Sequence, residues 1–109
     1  MYEYNAYVTD AYDGDSITVD IDCGLYVWVK QQKIRLYGIN TPELRGDTLE
    51  EGRKSRDRLR ELILNKHIIL KTIKDKKGKY GRWLGIIELD GVNINQLLIE
   101  EGLAVEYLL

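Results

Sequence analysis

Two short polar segments carry the side chains that could do chemistry in this sequence. Asp13 and Asp15 flank a glycine early in the chain, and Glu43 follows Asn40 and Thr41 in a later segment. Carboxylate, amide and carbonyl oxygens around one point are the ligands that a hard cation such as Ca²⁺ prefers. These residues therefore predict a divalent-metal site, provided that the fold brings the two segments together.

Basic side chains accompany the acidic ones. Arg35 ends the third predicted strand, and a later loop holds five more cations, Lys74, Lys76, Lys77, Lys79 and Arg82. A guanidinium group matches two phosphate oxygens with parallel hydrogen bonds. A metal, a carboxylate base and two arginines together can hydrolyse a phosphodiester, because they polarise the phosphoryl oxygen, activate water and stabilise the developing charge.

Each of these features also has an ordinary structural interpretation. Asp-Gly-Asp is most often only a hairpin turn, and a lysine-rich stretch is usually a solvated surface loop. Arg35 on a strand would usually point to solvent. Their joint order and spacing along the chain are more informative than any one of them.

The composition limits the classes of protein that fit. With 109 residues, 44% hydrophobic and 31% charged, the chain suits a single domain over residues 1–109 with a modest core. One cysteine, Cys23, and one histidine, His67, exclude an internal disulfide and a two-histidine metal motif. The net charge of −2 means that a nucleic-acid binder would need a local basic patch.

Short strands and two helices are predicted to position these residues. Alternating apolar and polar residues predict strands at residues 2–8 and 17–21. Further strands are predicted at residues 25–37 and 83–89, and an isoleucine-rich stretch predicts a buried strand at 67–73. Thr48 and Glu51 have the spacing of a capping box, which predicts a helix that ends near Asn65. Gly52 should weaken its first turn by about 1 kcal/mol. Asn93 is predicted to cap a short second helix that stops at Gly102.

These elements predict an α+β, mainly β, fold. Five strands, a helix between the third and fourth, and a short helix after the fifth describe an OB-type barrel. Such barrels often bind oligonucleotides, although that analogy carries little weight by itself. Residues 104–109 form an apolar tail that could close on the barrel or meet a second copy in a homodimer.

Four segments in order resemble the staphylococcal-nuclease (thermonuclease) family. They begin with Asp-Gly-Asp-Ser at residues 13–16 and Ile-Arg-Leu-Tyr-Gly-Ile-Asn-Thr-Pro-Glu at 34–43, and continue with Lys-Tyr-Gly-Arg at 79–82 and residues 92–104. The resemblance implies an OB barrel that cleaves DNA and RNA phosphodiesters with Ca²⁺. It also implies that the bond to the 5′ oxygen breaks, which leaves 3′-phosphates.

The resemblance also implies roles for single residues. Asp15 matches a carboxylate metal ligand, Thr41 matches a carbonyl ligand, and Glu43 matches the general base. Further residues match positions that bind phosphate, contact the terminal phosphate of a bound nucleotide or support the metal site: Arg35 and Arg82, then Lys79 and Tyr80, then Asp13.

The chain departs from the family pattern at two places. Asn40 stands where the family has its second metal carboxylate, so the metal should bind more weakly. Well-studied relatives continue past the second helix, whereas this sequence ends at Leu109. Tyr107 is predicted to replace a base-stacking tyrosine, with a spacing one residue shorter; an ordinary packing role is the alternative.

Two classes of function follow from these residues. The first is a metal-dependent nuclease with little sequence preference, acting most easily on single strands. The second is a catalytically weakened barrel that binds nucleic acid or protein. The N-terminus has no basic region and no apolar stretch, which predicts a cytoplasmic protein with no membrane partner, unless the sequence is a processed fragment.

Overall fold

The computed structural model describes residues 2–73 and 83–107. In this part of the chain there are eight strands and two α-helices, and a 3₁₀ turn at Gly46–Thr48 leads into the first helix. The elements are β1 (Tyr2–Asp13), β2 (Ser16–Asp22), β3 (Trp28–Leu36), β4 (Ile39–Asn40), α1 (Leu49–Ile63), β5 (His67–Ile73), β6 (Trp83–Leu89), β7 (Val92–Asn93), α2 (Ile94–Glu100) and β8 (Val105–Glu106).

Five of these strands close into a barrel. Their order is β3-β2-β1-β5-β6, and β3 and β6 pair in parallel to complete the ring. The helix α1 connects β4 to β5, and α2 follows the β6–β7 hairpin. The predicted five-stranded OB-type barrel with two helices is confirmed, and closure leaves its main strands without free edges.

The barrel encloses one apolar core. Inward-facing residues alternate with outward-facing ones along β1, as its sequence pattern predicts. The sequence predicts that β5 is buried, but this strand alternates as well and leaves Ile69 exposed, because one of its faces lies on the outside of the barrel. The core takes side chains from all five barrel strands and both helices, including Ala6, Val8, Ile17, Ile34, Leu59, Ile63, Leu70, Ile87 and Leu98. Each fully buried aliphatic side chain contributes about 1.5–3 kcal/mol, so this core accounts for most of the driving force.

The third strand begins later than predicted. It starts at Trp28, because the preceding residues form the turn of the β2–β3 hairpin. There the Cys23 N–H donates to the Val27 carbonyl oxygen at 2.8 Å. Leu25 and Tyr26 adopt left-handed conformations, with φ of 55° and 62°. Residues 23–27 are called the hairpin tip below.

The capping box predicted for α1 is wrong. Thr48 lies at the N-cap position, but its side chain makes no cap hydrogen bond to the helix. Its hydroxyl lies instead 2.7 Å from the carbonyl oxygen of Glu43. The short second helix forms as predicted: the Asn93 side chain accepts from the Gln96 N–H at 3.0 Å, and the helix stops before Gly102, which has φ of 75°.

The C-terminal segment pairs within its own chain. β8 lies antiparallel to β4, with Asn40 opposite Val105, and the Tyr107 N–H donates to the Gly38 carbonyl oxygen at 2.8 Å. This pairing supports the expectation that the tail closes on the barrel. Leu108 and Leu109 lie outside the described residues, so the homodimer stays a prediction.

No helix in the described ranges is both long enough and apolar enough to cross a membrane.

Candidate active site

The β1–β2 turn carries the first two acidic residues and packs tightly against α1. The Asp15 N–H donates to the Asp13 carboxylate at 3.0 Å, which fixes the turn. A Cβ on Gly14 would lie 2.7 Å from the Ser55 Cβ and 2.9 Å from the Thr41 side chain. Only glycine fits there without displacing a neighbour, so the turn places Asp15 beside the segment that contains Thr41.

The buried carboxylate of Asp15 is the centre of the site. One of its oxygens, Oδ2, lies 3.3 Å from Arg35 Nη1 and 3.2 Å from the backbone nitrogen of Thr41. The other accepts from the Ser16 hydroxyl at 3.3 Å. The β2–β3 register pairs Ser16 with Arg35, which sets the arginine beside the turn. The structure thus brings together three residues that the sequence predicts as site members.

Arg35 is held on its other side by the β4–β8 region. Its Nη2 lies 3.4 Å from the Ile39 carbonyl oxygen, and its guanidinium carbon lies 5.7 Å from the centre of the Tyr107 ring. This is within the range of a cation–π contact. Tyr107 therefore belongs to the site, and its half-exposed ring presents a face next to the arginine.

Asp13 has an environment different from that of an ordinary aspartate. Burial raises its pKa to about 6, and the adjacent Asp15 carboxylate adds to the rise. Both effects disfavour a second negative charge at this turn. Asp13 thus supports the turn through a hydrogen bond and carries a charge that changes near neutral pH.

Two predicted residues lie at the exposed edge of the site. Asn40 is exposed on β4. The Glu43 side chain is 68% exposed and accepts from Arg45 Nε at 2.8 Å. Its carboxylate is thus turned towards a partner in its own loop, while Asp15 and Arg35 pair with each other. Lys79, Tyr80 and Arg82 lie outside the described residues, and their roles stay predictions.

The donor atoms fit a hard cation by type. The Asp15 carboxylate, the Thr41 carbonyl and the Asn40 amide all offer oxygen, which is what Ca²⁺ binds. Within residues 2–73 and 83–107, no group of three or more His, Cys, Asp or Glu side chains is placed to hold a metal ion. One carboxylate, already paired with Arg35 at 3.3 Å, fits a weak site better than a tight one.

Sequence reasoning missed two residues of the helix α1 region that contact the backbone of the Glu43 loop. The sequence predicts a helix cap for Thr48, and it marks Gly52 only as a weak helix former. The structure places both against the backbone of Glu43. The available signal was the glycine itself, since a glycine inside a helix costs stability and therefore invites a search for a close neighbour.

The chain matches a known protein family over most of its length. The model of the family described as "Staphylococcal nuclease homologue" matches residues 33–109. A thermonuclease of Staphylococcus hyicus is 35% identical over 95 residues, and one of Staphylococcus intermedius is 30% identical over 95 residues. Each match covers 84% of this chain and 53% of the relative.

A plant protein shows the same relationship. The staphylococcal-like nuclease CAN1 of Arabidopsis thaliana is 31% identical over 81 residues, which is 74% of this chain and 24% of that protein. The chain thus spans about half the length of the staphylococcal relatives and about a quarter of the plant one. The family match includes Arg35 and Glu43, and the chain belongs to the staphylococcal nuclease homologue family.

Proposed function

We propose that this chain is a Ca²⁺-dependent nuclease that hydrolyses phosphodiester bonds of DNA or RNA with little sequence specificity and leaves 3′-phosphates. The main supporting observation is the contact between Asp15 and Arg35, whose charged groups lie 3.3 Å apart. It places a carboxylate suited to a metal beside a guanidinium suited to a phosphate. The relatives named thermonuclease and staphylococcal-like nuclease support the same reaction class.

Arg35 and Arg82 are assigned to the phosphate. Guanidinium groups bind its oxygens in pairs and stabilise the charge that develops as the bond to the 5′ oxygen breaks. Asp15, the Thr41 carbonyl and Asn40 would hold Ca²⁺, which when bound supplies a Lewis acid for the phosphoryl oxygen. Glu43 is assigned as the base that accepts a proton from the attacking water. Because the Glu43 side chain is exposed, its carboxylate can exchange Arg45 for the attacking water.

The substrate is proposed to be single-stranded nucleic acid. Tyr107 presents a half-exposed ring beside Arg35, where a base attached to the bound phosphate could stack. Such stacking is worth about 1–3 kcal/mol per base. Lys79 and Tyr80 are assigned to the terminal phosphate. Because the net charge is −2, substrate binding should depend on the local cluster of basic residues and should weaken steeply with salt.

The test is cleavage of denatured DNA by the purified chain, with added Ca²⁺ or with a chelator. Glu43→Gln and Arg82→Ala should each slow cleavage at least about 100-fold, as expected when a base or a charge-stabilising group is lost. Glu50→Gln is the matched control for Glu43, since Glu50 is also an exposed carboxylate paired with a nearby arginine, Arg53, at 3.2 Å.

The outcomes separate an enzyme from a binding module. Ca²⁺-dependent fragments that carry 3′-phosphates support the proposal, as does slow cleavage by Glu43→Gln with normal cleavage by Glu50→Gln. Intact DNA that migrates as a retarded complex would favour the binding module instead. Equal rates in Glu43→Gln and wild type would remove the base role from Glu43.

A further inference from the structure

The loop that carries Glu43 is tied to the start of α1 through Thr48. The Thr48 hydroxyl lies 2.7 Å from the Glu43 carbonyl oxygen and 3.0 Å from the Arg45 carbonyl oxygen. A threonine at this position would ordinarily accept a hydrogen bond from the first turn of the helix, but its side chain makes no such bond here. Its one proton goes to the loop, so the hydroxyl stabilises the position of Glu43 more than the helix end.

Gly52, one turn further along α1, also lies close to the backbone of the Glu43 loop. A Cβ at Gly52 would lie 2.8 Å from the Glu43 carbonyl oxygen and 2.9 Å from the Pro42 carbonyl oxygen. Real Cβ atoms essentially never make contacts this short, and both neighbours are backbone atoms that no side-chain rotation can move away. Helix propensity favours alanine at an interior position. The close approach of the loop therefore accounts for the glycine.

The same face of α1 also supports the turn that carries Asp15. Gly52 and Ser55 are three residues apart, which puts them on one side of the helix. The Cβ of Ser55 would lie 2.7 Å from a Cβ on Gly14, and the Ser55 hydroxyl donates to the Leu103 carbonyl oxygen at 2.6 Å. One helix face thus sets the separation between the Asp15 turn and the Glu43 loop.

We propose that Thr48 and Gly52 are positioning residues that set where Glu43 stands relative to Asp15. The inference rests on the proposed function, in which Glu43 is the base. The Glu43 carboxylate is exposed and pairs with the Arg45 side chain of the same loop. The backbone of that loop is in turn held by the Thr48 hydroxyl, which lies 3.0 Å from the Arg45 carbonyl oxygen. The backbone anchor is consequently what limits the reach of the carboxylate. A displacement of about 1 Å at a reacting group can cost about 100-fold in rate.

The principal test compares Thr48→Val with Thr9→Val. Both variants remove a threonine hydroxyl that donates to a backbone carbonyl, since the Thr9 hydroxyl lies 3.2 Å from the Thr18 carbonyl oxygen on the barrel. Thr48→Val should lower kcat about 10-fold and leave KM for denatured DNA within about two-fold. Thr9→Val should keep the wild-type kcat, and Thr48→Ser should restore it. Gly52→Ala should lower kcat about 10-fold to 100-fold.

A readout independent of activity accompanies the kinetics. The backbone amide NMR signals of Thr41 and Glu43 should shift in Thr48→Val and stay in place in Thr9→Val. If wild type does not cleave DNA, the proposed function fails, and these signals alone decide the anchoring of the loop. If wild type cleaves and Thr48→Val keeps its kcat, the positioning role is wrong while the nuclease assignment stands. Unshifted signals in Thr48→Val would also overturn the positioning role. Thr48→Val tests that role even if Gly52→Ala does not fold.

Discussion

The β2–β3 hairpin has two ends with opposite character. At the end beside the β1–β2 turn, Ser16 pairs with Arg35, and the charged groups of Asp15 and Arg35 are largely buried. At the hairpin tip, Leu25 is 94% exposed and Tyr26 is fully exposed. The hairpin thus buries charges at one end and exposes apolar side chains at the other, against the usual distribution of residue types.

The two ends of the hairpin also differ in how they affect the stability of the fold. Each buried charge at the site end has a partner, because a buried ion without one is strongly destabilising. The tip instead holds two non-glycine residues in the left-handed conformation, which costs about 1–2 kcal/mol for each. Changes at the site end should therefore affect both activity and folding, whereas changes at the tip should affect neither strongly.

The largest effect is expected from Arg35→Ala. The substitution removes the proposed phosphate ligand and leaves the buried Asp15 carboxylate without its partner. Cleavage should fall at least about 100-fold, and the free energy of unfolding should fall by about 3 kcal/mol. Nuclease assays and urea unfolding at the same pH measure the two effects.

Arg35→Lys separates charge from geometry. Lysine keeps the positive charge near Asp15 but loses the planar fork that binds two phosphate oxygens. The variant should recover much of the stability and little of the activity. Wild-type cleavage by Arg35→Lys would show that the fork is not needed at this position.

A smaller effect, dependent on pH, is expected from Asp13→Asn at the site end. The folded-state pKa of Asp13 is raised to about 6, above its ordinary 3.8, so folding favours the protonated carboxyl. The stability that this proton contributes is complete below about pH 4 and is lost as the pH rises through 6. The neutral asparagine avoids that loss and should raise the melting temperature at pH 8 by about 4 °C, after allowance for solvent screening.

Asp22→Asn provides the matched change at the tip. The Asp22 carboxylate accepts from the Gly24 N–H at 2.9 Å, two residues on, as Asp13 does from Asp15 at 3.0 Å. Melting curves at pH 4 and pH 8 should show a larger pH-dependent gain for Asp13→Asn than for Asp22→Asn. Equal gains at both pH values would mean that burial does not raise the Asp13 pKa.

The smallest effect is expected from Tyr26→Asn at the hairpin tip. Asparagine tolerates the left-handed conformation better than tyrosine, and the Tyr26 ring is outside the core. The melting temperature should rise by less than about 3 °C. Cleavage of denatured DNA should stay at the wild-type rate. A fall of 10-fold in cleavage would instead assign the tip to substrate binding.

Local patterns in the sequence predicted the barrel well and the loops less well. Alternation along β1 and β2 depends only on which side of each strand faces the core, so it is visible without the fold. The cap of α2 was also predictable, since Asn93 bonds to Gln96 three residues away. The cap of α1 was not, because the preferred partner of Thr48 is the carbonyl of Glu43, whose position depends on the packed loop.

The sequence by itself determined the types of elements, the family motifs and which side chains are of a type suited to metal or phosphate. Only the tertiary structure decided which of them meet. Asp15 and Thr41 are 26 residues apart, and their contact requires the strand register and the close approach at Gly14. Tyr107 reaches Arg35 because β8 pairs with β4. Such contacts follow from barrel closure, which no local pattern contains, because each distant pairing depends on all the others forming.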